Sequence, residues 1–244
     1  MKQSAWLLSA AILSFAAPAF AQDTQSATST SETASAPEDE MNAGDIVVTA
    51  TRRAEALSDV PIAVSAVTQE ALQNSGANDI RALNQLAPSL LVSSTGSEAN
   101  GSARIRGIGT VGDNPGLESS VAVFIDGVYR SRSGIGLNEI GEIDRVEVLR
   151  GPQGTLFGRN ASAGLIHIIS KKPSFDLTGL GEISYGNFDF IRAQGAISGG
   201  LTETIAARID GVYVKRDGFL RDPANNTRIN DRDRYFVRGQ LLYE

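Results

Sequence analysis

The stretch from Arg145 to Pro173 limits the possible folds most. Arg145-Val146-Glu147-Val148-Leu149 alternates charged and aliphatic side chains, the period-2 pattern of a strand with one wet face. Arg150-Gly151-Pro152 ends it, because Pro152 fixes φ and offers no N–H to a ladder. Gly154 and Gly158 follow, then Leu165–Ile169 is extended again until Lys171-Lys172-Pro173 stops it. Two strands bracketing a glycine-cornered crossover predict a compact β-rich knot with little room for an active-site pocket.

Beyond Pro173 the period stays at two. Ile183 and Tyr185 alternate with Glu182 and Ser184, and Ile191, Ala193, Gly195 and Ile197 with Arg192, Gln194 and Ser198. Ile205, Ala207, Ile209, Gly211 and Tyr213 alternate with Thr204, Arg208 and Asp210. Tyr235, Val237, Gly239, Leu241 and Tyr243 alternate with Arg234, Arg238 and Gln240. Segments of about ten residues, apolar on one face and ending in tyrosines, predict transmembrane β-strands. An ordinary soluble antiparallel sheet has the same alternation. Short turns are expected near Gly186-Asn187 and Gly199-Gly200, and the polar 216–232 loop on the outer side of the membrane. Four strands cannot close a barrel, so the chain reads as the front portion of a longer protein.

The other end is an export signal. Lys2, an apolar run over 5–17 and Pro18-Ala19-Phe20-Ala21 predict a cleaved leader over residues 1–21, too short to span a bilayer. Residues 22–44 are Ser, Thr, Ala and acids with almost nothing to bury, so a disordered tether is expected. The absence of cysteine removes thiolate catalysis, thiolate zinc sites and disulfides, and suits an oxidising compartment. A net charge of −6 with no run of Lys and Arg gives no field for nucleic acid.

After the tether, Asp45-Ile46-Val47-Val48-Thr49-Ala50 has strand propensity and no obvious partner strand. It reads either as an edge strand of the next domain or as a strand offered to another protein's sheet. A short strand over Ile62–Val67, a brief helix capped by Thr68 and a second helix from Asp79 to Pro88 come next. Ser89–Val92 is extended, 93–102 a polar loop, and Asp126-Gly127 the turn of a hairpin. Gly107, Gly109 and Gly112 spell G-x-G-x-x-G, but Asp113-Asn114-Pro115-Gly116 forbids the helix that a dinucleotide site needs. His167, the only histidine, has no co-ligands in its strand and is expected to be a hydrogen-bonded strand residue. Arg106 and Arg150 each leave a strand just before a glycine and read equally well as solvated arginines.

From about Asp45 to the C-terminus, and most densely over Arg145–Pro173 and Phe124-Ile125-Asp126-Gly127-Val128-Tyr129, the chain resembles the plug domain of TonB-dependent outer-membrane receptors. The resemblance implies an α+β plug (mixed β-sheet with short helices) over 51–173 and the first strands of a transmembrane antiparallel β-barrel over 174–244. Asp45, Ile46, Val47, Val48, Thr49 and Ala50 would form the TonB box, captured by the energy-transducing protein as an added strand. Arg106 and Arg150 would reach glutamates of the barrel wall and seat the plug. Ser94, Ser97, Asn100, Thr110, Asp113 and Asn114 would contact the ligand, a ferric siderophore or similar nutrient. The implied partners are TonB and outer-membrane lipid, with no catalytic residue, metal or cofactor. A soluble periplasmic plug-like binding module is the second reading, and an enzyme dependent on His167 a distant third.

Overall fold

The computed structural model describes residues 46–75, 80–94, 101–110, 118–131 and 141–244. The leader, the tether and Asp45 lie outside the described residues. The N-terminal part contains β1 (Val47–Val48), β2 (Glu55–Ala56), β3 (Val64–Thr68), helix α1 (Gln69–Ser75) and a 3₁₀ helix (Ile80–Gln85). Next come β4 (Leu90–Ser94), β5 (Gly101–Ile105), β6 (Val121–Ile125), β7 (Val128–Arg130), β8 (Ile143–Arg150), a one-turn helix (Gly154–Phe157) and β9 (Gly164–Ser170). The central sheet has five strands in the order β3-β8-β9-β6-β7. Only its β6–β9 pair is parallel.

Alternation along the central strands divides the core in two. Val121, Val123, Val146, Val148, Ile166 and Ile168 meet Leu72, Leu83, Leu90 and Ile105 on one face. Ala122, Phe124, Leu149 and Leu165 meet Val48, Ala50, Phe157 and Ala161 on the other. The face of β8 that carries Arg145 and Glu147 is therefore not wet, contrary to the charge pattern. The N-terminal segment and the crossover cover it.

Local signals act where expected. Thr68 Oγ1 accepts the Ala71 N–H and caps α1. Asp126 and Gly127 adopt φ of 50° and 78°, so the β6–β7 turn lies in the left-handed region that Asp-Gly tolerates. The second helix is 3₁₀ rather than α. Past its end the Leu86 and Ala87 N–H groups both donate to Leu83 O, and Pro88 stops the segment there.

The second sheet has four antiparallel strands in chain order: β10 (Thr178–Gly186), β11 (Phe190–Gly200), β12 (Ile205–Arg216) and β15 (Arg232–Tyr243). A small hairpin of β13 (Leu220–Asp222) and β14 (Thr227–Ile229) rises from the connection before β15. The register sets Tyr185 opposite Ile191, Ile197 opposite Ile209 and Tyr213 opposite Tyr235. That face is bare: Ile183 and Tyr235 are 82% and 83% exposed. The opposite face buries Arg192, Ser198, Arg208 and Asp210. A soluble sheet would do the reverse, so the soluble-module reading is corrected; this is how a strand facing lipid on one side and a protein-filled lumen on the other is built.

Candidate functional site

Two clusters of buried charge tie the parts together. The first lies under β1. Glu147, His167, Phe124 and Tyr129 form one row across β8, β9, β6 and β7. Glu147 is fully buried. Its Oε1 accepts the Thr49 N–H at 2.8 Å and Arg145 Nε at 2.8 Å, and the Thr49 hydroxyl lies 3.2 Å from both carboxylate oxygens. Burial pushes the Glu147 carboxyl up. Hydrogen bonds from His167, Thr49 and Arg145, with the Arg145 charge, outweigh it and leave the pKa below the ordinary value.

The Gly127 N–H donates to His167 Nε2 at 3.1 Å, so the ring proton sits on Nδ1 and faces Thr49 Oγ1 and Glu147. Hydroxyl and carboxylate thus meet the same ring nitrogen. A nucleophile relay needs one at each. His167 is the hydrogen-bonded strand residue that the sequence predicts, holding a turn and a docked segment.

In the structure the 46–50 segment takes the edge-strand form, one of the two readings open to it. Instead of an unpaired strand, β1 pairs with β2, and the Leu57 N–H donates to Ile46 O at 2.8 Å. Val48 and Ala50 are buried in the second core, so two apolar side chains drive a docking that β-propensity alone does not reveal. Arg52 closes the clasp. Its N–H bonds Thr49 O, its Nε bonds Leu156 O at 2.7 Å, and its guanidinium lies 4.8 Å from the Phe157 ring centroid.

The second cluster joins the two sheets. Glu142 Oε2 pairs with Arg208 Nη2 of β12. Its Oε1 takes Lys171 Nζ at 2.8 Å and Gln69 Nε2 at 3.2 Å, and its backbone oxygen accepts Arg238 Nη2 of β15 at 2.8 Å. Arg238 also pairs with Asp210 at 3.0 Å. Beside it, a Cβ on Gly141 would fall 1.6 Å from Asp210 Oδ2, so only glycine lets the backbone lie on that carboxylate. Burial raises the Glu142 carboxyl, but Lys171, Gln69 and Arg208 more than offset it and the pKa is lowered. Gln240 Nε2 adds a bond to Ser170 Oγ at 2.8 Å.

This seam is separate from the one that the resemblance implies for Arg106 and Arg150. Arg106 is exposed with φ of 53°, and Arg150 is half-buried with Nε 3.5 Å from Ala63 O. Neither pairs with a carboxylate among the described residues. Here the plug supplies the glutamate and the wall supplies the arginines. Of the expected ligand contacts, Thr110 spends its hydroxyl on Glu118 O and the Ser120 N–H, each at 2.9 Å. Ser94 ends β4, while Ser97, Asn100, Asp113 and Asn114 lie outside the described residues. Glu142 and Glu147 were not singled out in the sequence. The one available signal is a carboxylate flanked by aliphatic residues within a strand, as in Val146-Glu147-Val148.

A globule fixed by buried ion pairs to the polar face of a sheet whose other face is bare and apolar defines a plugged transmembrane β-barrel protein, with four wall strands among the described residues. Residues 56–165 match the family model of the TonB-dependent receptor plug domain, and over that stretch the chain is similar to the receptors of that family. It is 25% identical over 204 residues to the pesticin receptor of Yersinia pestis, covering 80% of this chain and 29% of that one. It is 27% identical over 223 residues to the iron-regulated outer membrane virulence protein of Vibrio cholerae, covering 84% and 30%. The ferric yersiniabactin uptake receptor of Yersinia pestis shares the fold at a TM-score of 0.66 and 24% identity, over 74% of this chain and 28% of that one. The chain thus spans under a third of the length of these relatives.

Proposed function

We propose that the chain is the plug and first wall of an outer-membrane receptor for active uptake of a ferric siderophore or similar iron complex, powered through TonB. Residues 45–50 are the segment that the transducer captures, residues 1–21 direct export, and Arg106 and Arg150 seat the plug on glutamates of the barrel wall. The loops bearing Ser94, Ser97, Asn100, Thr110, Asp113 and Asn114 contact the cargo. The reading rests most on one observation. A short strand at the start of the globule is held by a carboxylate, Glu147, inserted into its backbone edge. Such a strand can be exchanged for one added from a partner. It performs no covalent chemistry and needs no catalytic residue.

Val47→Pro tests this, because proline removes a backbone donor from the middle of the captured strand. Radioiron uptake from ferric hydroxamate and catecholate chelates is expected to fall to that of a transducer-deficient strain, with chelate binding to cells unchanged. Unimpaired uptake would overturn the reading.

A further inference from the structure

The docked box and the wall seam share one strand. Glu147, which holds Thr49, lies within β8, and Glu142, which holds Arg208 and Arg238, lies one residue before its start. They stand five positions apart, roughly 16 Å of extended chain. A bulge between Ile143 and Arg145 interrupts the register with β9 in that interval. A pull on 46–50 therefore reaches β8 through Glu147, the one central-strand carboxylate that the segment's backbone touches among the described residues.

The two ends of this path are held unequally. At the box end, Thr49 contributes one N–H and one hydroxyl, both neutral. At the seam, both carboxylate oxygens and the backbone oxygen of Glu142 are occupied, two of the donors being guanidinium groups of separate wall strands. Glu142 and Arg208 are only 5% and 3% exposed. Both carboxylates are buried acceptors, but only across the seam are the donors charged as well, and bonds between two ionised groups are the stronger ones.

We infer that Glu142 is a positioning residue for energised transport: it fixes β8 to the wall so that a load on the box releases Thr49 from Glu147 rather than dragging the sheet out of the lumen. The inference rests on the transducer reading above and goes beyond it. It assigns the load-bearing role to the Glu142–Arg208–Arg238 seam.

The test is vancomycin sensitivity of cells carrying the receptor as Glu142→Gln, in matched strains with and without the transducer. Because a lone buried Arg208 could hinder assembly, Glu142→Gln/Arg208→Gln replaces the whole ion pair with neutral hydrogen-bonding groups. With membrane levels equal to the parent's, either variant is expected to lose vancomycin resistance only where the transducer works, and to regain it when Val47→Pro is added. Unchanged resistance, or the same loss without the transducer, would overturn the inference. Failure of both variants to accumulate in the outer membrane would also overturn it, since the seam would then serve assembly alone. If Val47→Pro alone leaves uptake intact, the transducer reading falls instead.

Discussion

Glu147 is a charge inside an aliphatic strand, and its neighbours decide its role. From Arg145-Val146-Glu147 the natural expectation is a solvated face, since carboxylates are rarely buried unless paired. Arg145 pairs with it from two residues away, but the seal over the pair comes from Thr49, 98 residues distant, which no local pattern can reveal. Glu147→Gln keeps an acceptor for the Thr49 N–H but loses the charge-assisted bond to Arg145. A loss of about 1.5–3 kcal/mol in chemical denaturation is expected, with a spin label at Ile46→Cys becoming more mobile. Both buried glutamates have lowered pKa values, so their contribution is present above the ordinary carboxylate range near 4.3 and fades as pH drops through their lower folded values. Melting temperature should hold between neutrality and pH about 5 and then decline, more gently in Glu147→Gln. At the seam, Gly141→Ala drives a methyl group into Asp210 and Phe236 and should cost about 1–3 kcal/mol.

The elements were more legible than their contacts. Alternation located β10, β11, β12 and β15, because one face must be apolar whatever solvent it meets. It could not say which face was bare. That needed Arg208 at 3% and Tyr235 at 83% exposure, an inversion no soluble sheet adopts. The Asp126-Gly127 turn and the Thr68 cap were readable for the opposite reason, since each is decided by one or two residues. The docking of β1 was not, because it depends on two small buried side chains, Val48 and Ala50, fitting a surface built by β6, β8 and β9. Outward positions of the wall should reject charge. Ile209→Arg in β12 is expected to cost about 2–4 kcal/mol in a bilayer, measured as urea-dependent folding into lipid vesicles. Ala207→Ser on the same face should change little.

In the whole molecule the plug and the wall are joined by the buried Glu142–Arg208 ion pair and the Arg238 bond to the Glu142 backbone oxygen. The resemblance anticipated the plug and the first wall strands. It gave no hint of Glu142, which the described residues set against Arg208 and Arg238. The polar face of β12 and β15 was visible in the sequence, but the carboxylate that meets it stands at position 142, outside the repeating pattern. With no native cysteine, single-cysteine cross-linking can address the central claim without background. Val47→Cys should form a disulfide with a cysteine in the transducer's periplasmic domain, and the yield should rise when Glu147→Gln loosens the docked strand. Absence of any cross-link from positions 46–50, with the same transducer competent towards another receptor, would contradict the account.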